Sequence, residues 1–377
     1  MEQTIFHGKE SYKNLNDILA KLSPKKIFLV GNGAQRFKPI KEILDSSGIP
    51  YAGFNDFCPN PQYKDVQKGI TAFVGSGCDT IIAFGGGTTI DVAKCIKLFS
   101  VLDHDKNYLE QKYFDTKIPL IAIPGTAGTG SESTSFAVLY YNDDKYSVAH
   151  QSLLPNYAIL SREVLKTLPL YQKKCTMMDA LCQAIESWWS VNSTEESRDY
   201  SKRSVEMIMQ SMDAYLSDGS DEAAEAIMLA SNYAGRAINI AKTTAAHAMS
   251  YKITSMYGLP HGHAVAVCLP KVWSYMISNI DKCSDGRGGK YLHGIFSDIA
   301  LALGSSSPQK AVSEFEDLLA RLDLASPKLK NKEDLNILCA SVNVERLSNN
   351  PVRMPEAVLL ETYKAIFCNQ RNRKAQG

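Results

Sequence analysis

Thr80-Ile81-Ile82-Ala83-Phe84-Gly85-Gly86-Gly87-Thr88-Thr89-Ile90-Asp91-Val92-Ala93-Lys94 is the stretch whose reading sets the fold class. An apolar run breaks into three glycines and then into apolar residues at helical spacing, which predicts a buried strand, a tight turn and a helix. Two other segments repeat the pattern. Lys26-Ile27-Phe28-Leu29-Val30 runs into Gly31-Asn32-Gly33, and Pro119-Leu120-Ile121-Ala122-Ile123 runs into Pro124-Gly125-Thr126. Apolar strands that end in glycine and lead into helices are the pattern of parallel βα units, in which ligands collect beyond the carboxyl ends of the strands. Glycines at a helix start let backbone N–H groups approach a pyrophosphate while the helix end supplies partial positive charge. The competing reading is a turn that only needs positive φ. Gly31-Asn32-Gly33-Ala34-Gln35-Arg36 lacks the third glycine of the dinucleotide fingerprint and is weak evidence alone.

After Leu168-Pro169 the texture changes. Segments 177–190, 201–216 and 221–242 carry apolar residues at helical spacing with few β-branched runs, so an all-helical second part is expected, divided from the first as 1–168 and 169–377. The length, 377 residues, exceeds what one core usually organises. With 45% hydrophobic and 21% charged residues, disordered and fibrous chains are excluded. Lys+Arg 41 against Asp+Glu 40 leaves a net charge of +1, which offers no field for nucleic acid and no polybasic membrane patch. Nine scattered cysteines without a Cys-x-x-Cys pair read as reduced thiols. Met1-Glu2-Gln3-Thr4 does not begin an export signal, and no apolar run is long enough to span a bilayer, so a cytoplasmic chain is expected.

A second loop, Gly125-Thr126-Ala127-Gly128-Thr129-Gly130-Ser131-Glu132, can wrap phosphate and ribose with neutral donors, or place Thr129 or Ser131 as a helix cap. In the helical part, Asp179 and Gln183 are four apart and share a helix face; His247 lies fourteen residues before His261 in Pro260-His261-Gly262-His263. An Asp with imidazoles from separate helices is a usual way to build a divalent-metal site. Singly, each histidine reads as a surface or packed residue and Asp179 as a helix cap.

Together these residues resemble the iron-containing, or group III, alcohol dehydrogenases. The likeness is carried by Ile5-Phe6-His7-Gly8, Pro59-Asn60-Pro61, the 85–94 run, the 123–132 loop, Lys145-Tyr146, Met178-Asp179-Ala180 and segment 247–270, in the family's order. It implies an α/β N-terminal dinucleotide-binding domain plus an all-α C-terminal metal-binding domain, an architecture shared with dehydroquinate synthases. It also implies NADPH or NADH, one divalent metal (Fe2+ or Zn2+), and hydride transfer in the cleft between the domains. By position the implied cofactor contacts are Asn32, Asn60, Gly86, Gly87, Thr88, Asp91, Thr126, Thr129, Ser131 and Lys145; the implied metal ligands are Asp179, Gln183, His247 and His261. Proton delivery falls to Tyr251 or His263.

The chain departs from the family pattern at Gln183 and Tyr251, where the family usually has histidines. An amide oxygen is a poorer donor than imidazole to iron or zinc, whereas a phenol can pass a proton without binding metal. Asn32 stands where an acidic residue would repel a 2′-phosphate, and Arg36 follows four residues on, so NADPH or relaxed cofactor use is expected. Residues 185–194 and 234–252, including Glu186, Trp188, Trp189 and Lys242-Thr243-Thr244, are similar to the phosphonoacetaldehyde reductase branch. That branch implies reduction of phosphonoacetaldehyde to 2-hydroxyethylphosphonate, with Lys145, Arg236, Lys242, Lys252 and His263 as available positive charge. A general alcohol or aldehyde dehydrogenase, a dehydroquinate synthase-like lyase or cyclase, and a nucleotide-binding protein with a decayed metal site are the alternatives. The expected partners are a small aldehyde or alcohol, not nucleic acid or a membrane, and a homodimer is compatible with the reading.

Overall fold

The computed structural model describes residues 3–142, 144–217 and 220–368; Met1 and Glu2 of the N-terminal reading lie outside them. Its strands are β1 (Thr4–His7), β2 (Ile27–Val30), β3 (Tyr51–Phe54), β4 (Thr80–Gly85), β5 (Leu120–Pro124), β6 (Phe136–Tyr141), β7 (Asp144–Ala149) and β8 (Tyr157–Leu160). Six form a sheet in the order β1-β8-β5-β4-β2-β3, and every pairing in it is parallel. Ile27, Phe28, Leu29 and Val30 are all buried, as are Ile81, Ile82, Ala83 and Phe84. Both faces of the sheet are covered, which is why these strands read as continuous apolar runs rather than alternating ones. Phe28, Val30, Ile81 and Ala83 enter one core; Ile27, Leu29, Ile82 and Phe84 enter the other, with Leu15 and Ile18 of α1 (Asn14–Leu22) and Ile40 and Leu44 of α2 (Lys38–Ser46). The first core is closed by Ile90, Ala93, Ile96 and Phe99 of α3 (Gly87–Phe99).

From β2 the chain adds β3 at the edge and then returns to β4 on the other side of β2. Connections leave in opposite directions at that point, the arrangement in which parallel sheets place ligands beyond the carboxyl ends of the two strands, here β2 and β4. Gly31-Asn32-Gly33 follows one of these strands and Gly85-Gly86-Gly87 ends the other, so a motif that is weak by itself gains meaning from its neighbour.

The β6–β7 hairpin is not anticipated by the sequence reading, although Ala137 and Leu139 are buried in alternation with less buried neighbours. Among the described residues no helix is long and apolar enough to cross a membrane.

The helices that build or adjoin the second unit's site are α4 (Leu170–Trp189), α5 (Glu195–Ser217), α6 (Asp221–Ala241), α7 (Ala245–Tyr257) and α8 (His261–Ser278). The chain forms two compact units, Met1–Pro169 with Asp213–Gly235, and Leu170–Met212 with Arg236–Gly377. The expected division into 1–168 and 169–377 differs from these units at Pro169, which falls in the first, and by one excursion, residues 213–235. Polar contacts and a backbone crossing hold that excursion in the α/β unit. Arg162 donates to Glu225 at 2.9 Å and to Asp221 at 3.4 Å, and Asn232 donates to Glu132 at 3.0 Å and to Ser133. Gly130, at φ +60°, meets Gly235 of α6 so closely that a Cβ on Gly235 would lie 2.5 Å from the Gly130 carbonyl oxygen. In the second unit α8 packs on both α4 and α7. Trp189 and Trp273 lie there with ring centroids 5.7 Å apart, and the Trp189 indole N–H donates to Thr244 Oγ1 at 2.9 Å.

Two backbones in contact cannot yield to a new methyl group. Gly235→Ala should therefore lower stability by about 1–3 kcal/mol, measured by denaturant unfolding, whereas a matching change at the open Gly53 should cost less than half of that.

Candidate functional site

One face of α4 carries Asp179, Gln183 and Glu186, at positions i, i+4 and i+7, and all three are buried. His247 sits in the first turn of α7 and His261 begins α8. His247 Nε2 lies 3.5 Å and His261 Nε2 3.9 Å from Asp179 Oδ1, and one ligand atom from each of the three residues falls within 4.8 Å of the other two. Gln183 lies beside the Asp179 carboxylate. Its own Oε1, together with Asp179 Oδ1 and His247 Nε2, is buried without a hydrogen-bond partner.

Buried polar atoms are normally paired, and each unpaired one costs on the order of 1–3 kcal/mol. Three unpartnered buried polar atoms on neighbouring residues suit a bound cation, which would replace any proton on His247 Nε2. A carboxylate, imidazoles and an amide oxygen are also donors that a divalent ion accepts, so the residues fit the metal.

Glu186 organises one imidazole from behind. Its carboxylate, fully buried, accepts from Thr244 N (3.2 Å), Thr244 Oγ1 (2.7 Å), Ala246 N (2.9 Å) and His247 N (3.4 Å), and it also bonds His247 Nδ1. Burial opposes a charge on His247, yet Glu186 and Asp179 outweigh it and raise its pKa to about 10. Burial likewise opposes the Asp179 anion, and His261, His247 and Gln183 still hold its pKa below the usual carboxylate value. Two buried carboxylates facing one imidazole make a place that favours positive charge, whether a proton or a metal ion supplies it.

Gly262 lets α8 reach α4. A Cβ there would run into the Cys175 carbonyl oxygen and lie 2.8 Å from Asp179 Cβ. Tyr251, one turn after His247, stacks on His261 with ring centroids 5.5 Å apart and planes 13° from parallel. His263 faces elsewhere: Nδ1 is 2.9 Å from the Tyr171 hydroxyl and Nε2 is 2.9 Å from the Ala325 carbonyl, and burial lowers its pKa. Both its nitrogens are engaged, so any proton route through His263 runs by way of Tyr171. Of the sequence candidates in this unit, Asp179, Gln183, His247, His261 and Tyr251 come together, and His263 sits to one side.

In the α/β unit, no side chain caps α3, and none of Gly85, Gly86 and Gly87 has positive φ. These glycines are therefore not there for a left-handed turn. A Cβ on Gly87 would strike Thr129, and one on Gly86 would sit 3.6 Å from Thr126 Oγ1, so the Thr126–Thr129 loop lies directly on the helix start. The first amides of α3, at Gly87 and Thr88, remain for a ligand.

Lys94 fixes this loop from below: its buried ammonium donates to Ser131 O (2.6 Å), Ser131 Oγ (3.2 Å), Thr134 Oγ1 (2.8 Å) and Phe136 O (2.8 Å). Burial brings its pKa down to about 8 against the pull of Asp91 and Glu132. Asp91 accepts from Ser131 Oγ at 2.5 Å and from Val138 N at 3.1 Å, so its carboxylate also holds the loop. Asn32 and Asn60 are exposed, Asn60 at φ +60°, and Lys145 lies half-buried on β7.

Sequence reasoning gave no role to Lys94, Glu186 or Gly262. Their signals were a lysine three residues after Asp91, a carboxylate on the ligand face of α4, and a glycine between two histidines. Gly262→Ala should weaken Zn2+ binding about tenfold or more in calorimetric titration while far-ultraviolet circular dichroism is unchanged, because the added methyl moves His261 away from Asp179.

Residues 2–162 match the iron-containing alcohol dehydrogenase family, and residues 174–367 match the C-terminal part of the Fe-containing alcohol dehydrogenase family. The chain is 31% identical over 289 residues to the phosphonoacetaldehyde reductase of Streptomyces viridochromogenes, covering 73% of each chain. It is 30% identical over 392 aligned positions to the NADPH-dependent butanol dehydrogenase of Clostridium saccharobutylicum, covering 97% of both. The sulfoacetaldehyde reductase of Bifidobacterium kashiwanohense, solved in complex with NAD+, superposes with a TM-score of 0.85 at 25% identity over 97% of each chain. The two family matches take in both the glycine-rich cradle and the Asp–His–His cluster, and the chain belongs to the iron-containing alcohol dehydrogenases, metal-dependent, nicotinamide-linked oxidoreductases of alcohols and aldehydes.

Proposed function

We propose that this enzyme reduces a small aldehyde carrying a compact anion to the primary alcohol, with phosphonoacetaldehyde and its product 2-hydroxyethylphosphonate as the specific pair. The observation that carries the chemistry is the set of unpartnered buried atoms on Asp179, Gln183 and His247, with His261 alongside. Two relatives support the substrate class, since one is a phosphonoacetaldehyde reductase and another a sulfoacetaldehyde reductase, both named for two-carbon aldehydes that bear an acid group. The departure at Gln183 leaves three stronger ligands, which is enough for a catalytic site that keeps an open position.

Asp179, His247 and His261 would hold the metal, with the Gln183 amide oxygen as a weaker fourth donor. When bound, the metal supplies Lewis-acid polarisation of a carbonyl oxygen and the nicotinamide supplies hydride. The chain's own residues position and protonate. Tyr251, held flat against His261, places a phenol where it can donate to the oxygen that becomes the alcohol. Gly86, Gly87 and Thr88 offer backbone N–H groups to a pyrophosphate and Thr126 and Thr129 offer hydroxyls; Ser131, whose hydroxyl hydrogen goes to Asp91, holds the loop from behind, and Asn32, Asn60 and Lys145 are the remaining cofactor contacts. Asp91 contributes indirectly by holding Ser131. Lys242 and Lys252 flank the His247 segment as cations for the substrate's anion, and Lys242 is held partly buried with its pKa brought down to about 8 by burial.

The deciding measurement is an aldehyde panel run with NADPH and with NADH. Phosphonoacetaldehyde should exceed propanal in kcat/KM by about a hundredfold or more, because a charge-assisted contact contributes roughly 1.5–3 kcal/mol and more than one is expected. Equal efficiency would leave a general aldehyde reductase, and absence of net cofactor oxidation on every aldehyde would remove the reductase reading. NADPH should be used at least as well as NADH. Exhaustive chelation should abolish turnover, and Zn2+ or Fe2+ should restore it; full activity with no metal detected would refute the ligand assignment.

A further inference from the structure

We propose that Glu186 sets the tautomer of His247, so that one buried carboxylate decides whether the imidazole offers its lone pair to a metal. The inference rests on the assignment of Asp179, His247 and His261 as ligands. It starts from how the two oxygens of Glu186 are committed. Oε1 accepts from the backbone N–H groups of Thr244, Ala246 and His247 and from the Thr244 hydroxyl. Thr244 begins α7 with no side-chain cap of its own, so a carboxylate from α4 serves the first turn of α7. Oε2 has one bond, to His247 Nδ1.

A carboxylate oxygen can only accept, so the hydrogen in that bond belongs to Nδ1. In the neutral ring the lone pair is then on Nε2, the atom that faces Asp179 Oδ1 at 3.5 Å without a hydrogen-bond partner. The ring is oriented before any metal arrives, with Nδ1 held by Glu186, so a metal has only the Nε2 proton to displace.

Capping α7 and choosing the tautomer are separable roles, and Glu186→Gln separates them. The amide has the same length as the carboxylate, and its oxygen must stay on the N–H groups of α7, because an NH2 group cannot accept from them. The NH2 therefore takes the place of Oε2 and donates to Nδ1. His247 is driven to carry its hydrogen on Nε2, pointing at Asp179, and no lone pair remains at the metal position. Were Glu186 only a cap for α7, the glutamine variant would bind metal like the parent.

The test is calorimetric titration of Zn2+ into metal-free protein with a competing chelator, comparing the parent, Glu186→Gln and His261→Ala, together with melting curves of the metal-free forms. The expected result is roughly 10–100-fold weaker Zn2+ binding by Glu186→Gln with an unchanged melting temperature. Unchanged Zn2+ affinity in a folded Glu186→Gln protein overturns the proposal while a weakened His261→Ala leaves the ligand assignment standing; if His261→Ala also binds like the parent, both fall. Should Glu186→Gln not fold, the parent still decides the matter. Nitrogen-15 histidine spectra of the Zn2+-loaded parent must show His247 protonated at Nδ1 and coordinated through Nε2, and coordination through Nδ1 refutes the proposal.

Discussion

A carboxylate shut away from water must be met by donors, and Glu186 meets that demand with the first turn of α7 and the ring of His247. An unpaired buried charge would cost several kcal/mol, so the pairing is an obligation of the fold as much as a feature of the site. Because α4 also carries Asp179 and Gln183 on the same face, the bond that satisfies Glu186 brings His247 to them. Gly262 completes the arrangement by letting α8 approach until His261 stands beside Asp179. The helical unit thereby holds a buried polar centre between α4, α7 and α8.

The α/β unit solves a related problem with the opposite sign of charge. Lys94 lies wholly inside and can be tolerated only because two carbonyls and two hydroxyls of the 131–136 segment surround its ammonium. Asp91, three residues earlier on α3, takes Ser131 and Val138 in the same way. These bonds tie a loop rich in small residues to the helix whose amino end it overlies, so the hydroxyls of Thr126 and Thr129 and the amides of Gly87 and Thr88 share one surface. Anchors of this kind replace flexibility with a fixed set of donors, which lowers the ordering cost of binding an anion.

Much of this was legible in the residues. Apolar strands ending in glycine announced a parallel sheet, and the helical spacing after Pro169 announced α4, α5 and α6, because both patterns record burial along a single element. Asp179, His247 and His261 were recognisable as ligand types. The β6–β7 hairpin escaped, since a six-residue strand with two buried positions is a faint signal. The excursion 213–235 escaped too, because what returns it to the α/β unit is Arg162, Asn232 and the contact of Gly130 with Gly235, none of them visible as a local pattern.

The sequence by itself indicated three of the parallel strands, three long helices, and which residue types are available for phosphate and metal. Those are properties of period, composition and position along the chain. Only the tertiary structure decided what each polar group does. Glu186 and His247 are 61 residues apart, Lys94 and Ser131 37, and nothing local states that the first pair fixes a tautomer or that the second pins a loop. Asp91, expected among the cofactor contacts, accepts from Ser131 and Val138, bonds that no local pattern announces. A side chain's role depends on which partner its burial forces upon it, and that partner is chosen by packing across the chain.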